Sequence, residues 1–460
     1  MDGNRYEYGP VMKVPADQEA WNTWEIMEKE RAALIGSVLQ AEGDGIDTAV
    51  AESFRKAAAE EKFKILLQEG HEIPQKRISH RQRAVALRKR MDEARNGFTP
   101  TLVARELGKP RPTQVLIRGE YNRPVGEPVQ PGVPSVMGAL PKGAPPNRLG
   151  LAHWMVSREN PLVSRVLINR IWQRVYGEGI VRSPEDFGLQ GKQPTHPELL
   201  DWLAVELQEN DWDLRHILRL MLTSRTFKQQ SAHRRISLDD PANLWYARGP
   251  SYRLDAEVIR DIALWASDLL DGHMGGEGVK PYQPPGLWKD LMHPASNTKN
   301  YVPDTGNKPY RRSLYVYWKR TSPHPMMTLF DAPDRESSCV RRSRTNTSLQ
   351  SLGLLNETQR IEMSRKLAER LITAAPSDGL RLDLLFSLVA SRPPTKAERA
   401  ACSTLLASLK KRYSTSKEDA LALLATGAAT RDEELDPALV AAWSQVAITV
   451  LASDLALLLY

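Results

Sequence analysis

Thr195 to Leu207 reads THPELLDWLAVEL. A Thr with Glu198 three residues later forms a capping box, in which the two side chains satisfy backbone N–H groups of the first helical turn. Leu199, Leu200, Leu203 and Leu207 follow at helical spacing, so one face is apolar and can be buried. The same grammar recurs on both sides. Asn160-Pro161 sets a cap residue before a proline, and Gly177 stops the helix that follows. Asp213 precedes Leu214, Ile217, Leu218 and Met221, and Leu254, Val258, Ile262, Trp265 and Leu269 make another amphipathic face. Thr347 to Gln350 is a second capping box, and Asn356 is placed to cap a helix carrying Ile361, Leu367 and Leu371. Only RSLYVYW (Arg312 to Trp318) alternates as a strand should. The expected fold class is mainly α: a helical domain with a few short strands and a Pro/Gly-rich extended connector.

Three regions follow from the pattern: 1–97, 98–146 and 147–460. Residues 1 to about 15 read as irregular, and Asp17 to about Asn96 as helical. That first region opens acidic (Glu19, Glu25, Glu28, Glu30) and closes basic (Lys76, Arg77, Arg81, Arg83, Arg88, Lys89, Arg90). The basic run reads as a solvated helix face, with a polyanion site as the alternative. Thr113 to Arg118 (TQVLIR) looks like a short strand. The stretch after it, GEYNRPVGEPVQPGVPSVMGALPKGAPP, holds too many prolines and glycines for a helix or a central strand. It is expected to be an extended connector.

At 460 residues the chain exceeds what one compact core usually holds, so two or three packed sub-regions are expected. With 26% charged and 41% hydrophobic residues it is globular and not disordered. The excess of 63 Lys and Arg over 56 Asp and Glu leaves +7 and a pI near 9.2, which favours anionic partners without naming one. Cys339 and Cys402 are the two cysteines, and no C-x-x-C or C-x-x-C-H occurs. Covalent haem of the c type and a Cys-rich zinc site are thereby excluded from this chain. The opening MDGNRYEYGPVMKVPADQ lacks the apolar core of a signal peptide. Val440 to Tyr460 is the most apolar stretch, but Gln445 and Asp454 interrupt it, so a buried terminal helix is expected in place of a transmembrane segment.

Several phrases belong together. They are NRIWQRVYGEGIVRSPEDFG (Asn169 to Gly188), THPELLDWLA (Thr195 to Ala204), RLDAEVIRD (Arg253 to Asp261) and FDAPDRESSCVRRSRTNTSLQSLGLLN (Phe330 to Asn356), with RGEYNRPVGEPVQPGVP ahead of them. From about Phe98 onward the chain resembles domain of unknown function 1553, a planctomycete-type bacterial domain found C-terminal to cytochrome-c-like modules. The first hundred residues resemble the tail of the companion domain that usually precedes it. The resemblance implies an exported protein of the periplasm or cell surface. It implies a cytochrome-c-like module as partner, in cis or trans, with haem c only in such an N-terminal module and no cofactor in this chain. The family carries no established activity.

The densest chemistry lies between Asp331 and Thr345. Asp331, Asp334, Arg335, Glu336, Arg341, Arg342 and Arg344 sit there with Cys339. Guanidinium groups bind carboxylate, sulfate or phosphate through paired hydrogen bonds, and a thiol beside several Arg loses its proton more readily. Three readings stand: an internal Asp–Arg network, an anion site at Arg335, Arg341, Arg342 and Arg344, or thiol chemistry at Cys339. Glu257 and Asp261, four apart on one helix, need neutralising. Arg253 and Arg260 can supply a salt-bridge ladder, and a shared proton or a bound cation is the alternative.

Weaker signals surround these. Asp186, His196 and Glu198 read as loop and helix-start residues, and Asp-Phe-Gly lacks the companions of a kinase. Nine histidines form no H-x-x-x-H or H-E-x-x-H, so no metal site is assigned. Gly272, Gly275, Gly276 and Gly278 follow a helix and read as a mobile loop. Tyr310 to Trp318 interleaves rings with cations but leaves too narrow a platform to argue for nucleic acid. The leading expectation is an extracytoplasmic domain beside a cytochrome-c-like module, a redox-linked enzyme on a carbohydrate or other anionic polymer, with an anionic polysaccharide among the expected partners. Cys339, Asp331, Asp334, Glu257 and Asp261 are its catalytic candidates. The alternative is a non-catalytic binding or assembly module for envelope or extracellular polymers.

Overall fold

Helices begin where short polar side chains can accept from their first N–H groups. The computed structural model describes residues 11–40, 62–64, 67, 75–107, 111–232, 240–291 and 299–459. It is mainly helical, 52%, with three small two-stranded sheets among the described residues. β1 (Val11–Val14) pairs antiparallel with β2 (Thr99–Leu102), and between them run α1 (Gln18–Gln40) and α2 (Gln75–Asn96). These two helices enclose a small core of Met27, Leu34, Ala84, Leu87 and Met91. Val11–Val14 is therefore a strand where irregular chain was expected. Residues 1–10 and 41–61, and the side chains of Lys76 and Arg77, lie outside the described residues. Of the basic run, Arg88 pairs with Asp92 and Arg90 with Glu30 across the two helices, as on a solvated face.

The connector holds one small hairpin, β3 (Val115–Leu116) with β4 (Pro124–Val125). Its strand is shorter than TQVLIR suggested, because Ile117–Gly119 turns as a 3-10 helix with Arg118 at φ 51. Most of the stretch from Arg111 to Val136 is exposed.

After α3 (Arg148–Met155) a second core forms around α4 (Val163–Tyr176), α5 (Pro197–Glu209) and α6 (Leu214–Thr223). α4 starts two residues later than Asn160-Pro161 predicted, with Leu162 at the cap position, and Asn160 accepts from the Leu162 and Val163 amides in the turn ahead of it. Asp213, by contrast, caps α6 by accepting from Arg215 and His216. The predicted box at Thr195 does not form. His196 is the cap residue with Pro197 next, and Thr195 turns its amide and hydroxyl to the carbonyl of Ile180.

The largest core belongs to the C-terminal bundle. Its members are α11 (Thr358–Ala374), α12 (Asp378–Ala390), α13 (Lys396–Thr415), α14 (Lys417–Leu424) and α15 (Pro437–Leu451). α15 packs on α11, α13 and α14 and buries Trp443 completely. The apolar stretch near the C-terminus is thus a core helix, ended at Ala452 and followed by α16 (Asp454–Leu457) and β6 (Leu458–Leu459). No helix among the described residues is long and apolar enough to cross a membrane.

β6 pairs with β5 (Tyr252–Arg253), which leads into α7 (Ala256–Ala266). α8 (Leu287–Leu291), α9 (Pro325–Leu329) and α10 (Ser348–Asn356) complete this part. The Thr347–Gln350 box forms as expected, with Gln350 Oε1 accepting from the Thr347 amide at 3.3 Å. α11 is capped by Glu357 and not by Asn356, which ends α10. RSLYVYW is not a strand. Ser313–Tyr315 is a 3-10 turn and Val316 makes a single bridge to Val279. The glycine-rich segment after α7 is wound around Arg311, whose guanidinium donates to the carbonyls of His273, Gly275 and Glu277.

Candidate functional site: an arginine-lined cleft

Gly177 ends α4 at φ 86, and a Cβ there would lie 2.7 Å from the Tyr252 ring. The tyrosine therefore packs on the bare end of the helix, and its hydroxyl donates to the carbonyl of Arg174. Beyond the turn, Asn169 on α4 holds Val181 by both amide groups, at 3.0 and 2.8 Å. These contacts fix Arg174, Glu178 and Arg182 around one helix end.

The 331–345 loop arrives from the other side. It is closed at its base by Asp331, at φ 60, which accepts from the Thr345 amide at 2.8 Å and from Arg253 at 2.5 Å. Burial pushes the Asp331 carboxyl upward, but Arg253 and Thr345 together hold it below the ordinary carboxylate value. Arg342 forks onto Glu257 at 2.6 and 3.1 Å and lies 3.5 Å from Asp255, which also pairs with Arg174. Desolvation is the largest influence on Glu257 and works against its charge, yet Arg342 brings the carboxyl below its usual value.

The predicted residues therefore divide. Asp331, Glu257 and Arg342 form the internal network that was one reading of the loop. Asp261 lies apart from Glu257's partners, accepting from the Ser313 amide at 2.8 Å, with Arg260 at 3.8 Å. Arg253 and Arg260 do not build the expected ladder. Arg253 goes to Asp331, and Arg260 is buried on Gln359, Ser313 and two carbonyls. Asp334 turns the backbone at Glu336, and its carbonyl accepts from Trp318, over whose ring Arg335 lies at 4.8 Å. Cys339 is exposed, with its thiol donating to the Arg341 carbonyl at 3.3 Å, and both cysteines are free. Asp186 and His196 make no hydrogen bond to each other. Asp186 accepts from Gly188, and His196 meets Thr195.

Arg341, Arg342 and Arg344 face Gln173, Arg174, Gly177 and Glu178 across a cleft of about 240 Å³. A second depression of about 420 Å³ shares Gly177, Glu178 and Arg344 and continues to Arg182, Arg248, Tyr246 and Tyr252. Among the described residues, six arginines and one acid, Glu178, line the two adjoining depressions, which together make one groove. Counting Asp255 and Glu257, which pair with Arg174 and Arg342, and Asp240, buried beside Arg182 and Arg248, six cations stand against four anions among the described residues. The guanidinium of Arg341 holds no hydrogen bond to a described residue, and that of Arg344 only covers the Tyr252 ring at 4.4 Å. Arg342 keeps a buried Nε–H without an acceptor among the described residues.

Arg174, Arg182, Arg248 and Glu178 escaped the sequence reading. Gly177 was legible as a helix stop, but nothing local says that its far side meets a loop from beyond residue 330. Among the described residues no group of three or more His, Cys, Asp and Glu side chains gathers in a metal-binding arrangement. Residues 147–406 match the family described as PSD1, Protein of unknown function (DUF1553). No curated protein and no solved structure matches the chain.

Proposed function

The chain belongs to the family described as Protein of unknown function (DUF1553), and from that premise we propose that its groove is a binding site for an anionic ligand. The observation that carries this reading is the surplus of guanidinium groups in the groove, where Arg341 and Arg344 have no hydrogen-bond acceptor among the described residues. Exposed guanidinium groups without partners suit sulfate, carboxylate or phosphate, to which they can donate two parallel hydrogen bonds. The reading takes the domain to work outside the cytoplasm beside a cytochrome-c-like module, as a binding module more than as a catalyst. For that setting the support is the family resemblance.

The experiment is calorimetric titration of the full chain with dextran sulfate and with polyphosphate, at low and at high salt. Binding at low salt that weakens steeply with added salt is expected. The double substitution Arg341→Ala, Arg344→Ala should lower affinity about tenfold or more, roughly 1.4 kcal/mol, and leave the melting temperature unchanged. Absence of binding to either polyanion at low salt sinks the proposal.

A further inference from the structure

We infer that the groove takes a hydroxyl-bearing, sparsely charged polymer, an acidic or sulfated polysaccharide, and that Glu178 is the residue that selects it over densely charged chains. The inference rests on the anion-binding reading above and concerns which anion fits.

The cations of the groove are not gathered at one point. Arg174, Arg341 and Arg342 line the first depression, Arg182 and Arg248 the second, and Arg344 lies where the two meet. A small ion would use one cluster. A ligand that uses both must be extended and carry anionic groups at intervals. Glu178 stands at the junction, lining both depressions. Its ion-pair partner is Arg182 at 3.8 Å, and its carboxylate accepts no hydrogen bond from a described residue. The side chain keeps 41% of its surface exposed, so it is accessible to a ligand.

A carboxylate in that place has opposite effects on two kinds of chain. A polymer of adjacent anions with no hydroxyl between them, such as polyphosphate, must set an anionic group against Glu178, and like charges in contact repel. An acidic sugar chain carries hydroxyls between its anionic groups and can place one there instead, and a hydroxyl donating to a carboxylate makes a charge-assisted hydrogen bond. The lining of the second depression agrees with this. Tyr246, Ser231 and Ser251 offer ring surface and hydroxyls in place of further cations.

The test compares chondroitin sulfate with polyphosphate at equal concentration of anionic groups, on the wild type, on Glu178→Gln and on Arg341→Ala. Glutamine keeps an acceptor for a hydroxyl and loses the charge. The wild type should prefer chondroitin sulfate at least fivefold. Glu178→Gln should erase most of that preference, by tightening polyphosphate and by weakening the sugar modestly as the charge-assisted hydrogen bond becomes a neutral one. Arg341→Ala should weaken both ligands together. Equal affinities in the wild type, or a preference that Glu178→Gln leaves intact, overturns the selector role while the anion groove stands. Binding of neither probe overturns the groove itself. Because Glu178 lies beyond the end of α4, an unchanged melting curve is expected for Glu178→Gln and serves as the folding control.

Discussion

Glu257 accepts from both terminal nitrogens of Arg342, at 2.6 and 3.1 Å, joining α7 to a loop 85 residues further along the chain. Each side chain of the pair is about one-fifth exposed, 24% and 19%. The fork geometry is the strong form of a carboxylate–guanidinium contact, and removing one partner strands the other where water reaches it poorly. Arg342, read from sequence as an anion ligand, therefore also fastens the loop.

Arg342→Ala is expected to destabilise the protein by about 2 kcal/mol, below the full cost of breaking a buried pair because of the remaining exposure. Urea denaturation at pH 7 measures it, and a change under half a kcal/mol would refute the fastening role. The acid side has a definite sign. Folding holds the Glu257 carboxyl below its usual value. The stability this contributes is complete above about pH 4.5 and is lost as pH falls through the lowered folded value. Glu257→Gln should remove that part of the acid sensitivity.

A different pH window belongs to His324. Its Nε2–H donates to the Tyr282 carbonyl at 2.7 Å, and its Nδ1 is buried without a partner among the described residues. Burial lowers its pKa to about 4, against the upward pull of the Tyr282 carbonyl, and the Arg260 guanidinium adds to the lowering. The unfolded chain thus binds a proton between roughly pH 6.5 and 4 that the folded chain refuses, so stability rises with pH across that interval. The loss on acidification is on the order of 3 kcal/mol. Urea midpoints measured from pH 6.5 down to 4.5 should fall in the wild type and stay flatter in His324→Gln. Parallel slopes in the two proteins would remove His324 as the cause.

Why the fold was readable and the groove was not comes down to the range of the interactions. Asn160, Asp213 and Thr347 act on amides two or three residues away, so the turn at Asn160 and the caps at Asp213 and Thr347 are written locally. The alternation of RSLYVYW was overruled from a distance. Asp261 draws in the Ser313 amide, while Arg260 takes the Arg311 carbonyl and the Ser313 hydroxyl, which forces a turn. Thr195 likewise prefers Ile180, 15 residues back, to its own helix. The groove needs Glu178 and Arg341 side by side, and no periodicity relates residues so far apart.

Gly427 sits at φ +92, and a Cβ there would come 2.5 Å from the carboxylate of Glu362. That carboxylate is fully buried and accepts from Tyr310 at 2.9 Å and from the amides of Ala428 and Ala429 at 2.7 and 2.6 Å. It ties α11 to the segment between α14 and α15. Gly427→Ala combines a strained backbone with displacement of this carboxylate, for about 3 kcal/mol of lost stability. Gly306 is the control. It has φ +65 with nothing within 4 Å, so Gly306→Ala carries the backbone strain alone, about 1 kcal/mol. Denaturation midpoints that fall equally for the two variants would show that Glu362 yields without cost.

The two cysteines should separate cleanly by reactivity. Cys402 lies half-buried on α13, where burial first and the Glu398 charge second raise its thiol above the ordinary value. Cys339 is exposed two residues before Arg341. Alkylation depends on access and on the thiolate fraction, so iodoacetamide at pH 8 should label Cys339 at least tenfold faster, as followed by peptide mass spectrometry. The same measurement reports on the groove. A polyanion seated on Arg341 and Arg344 covers the loop beside Cys339, and dextran sulfate should slow that labelling while leaving Cys402 unchanged. If dextran sulfate binds and Cys339 still reacts at its free rate, the polymer occupies another face of the protein, and Arg341 is not its ligand.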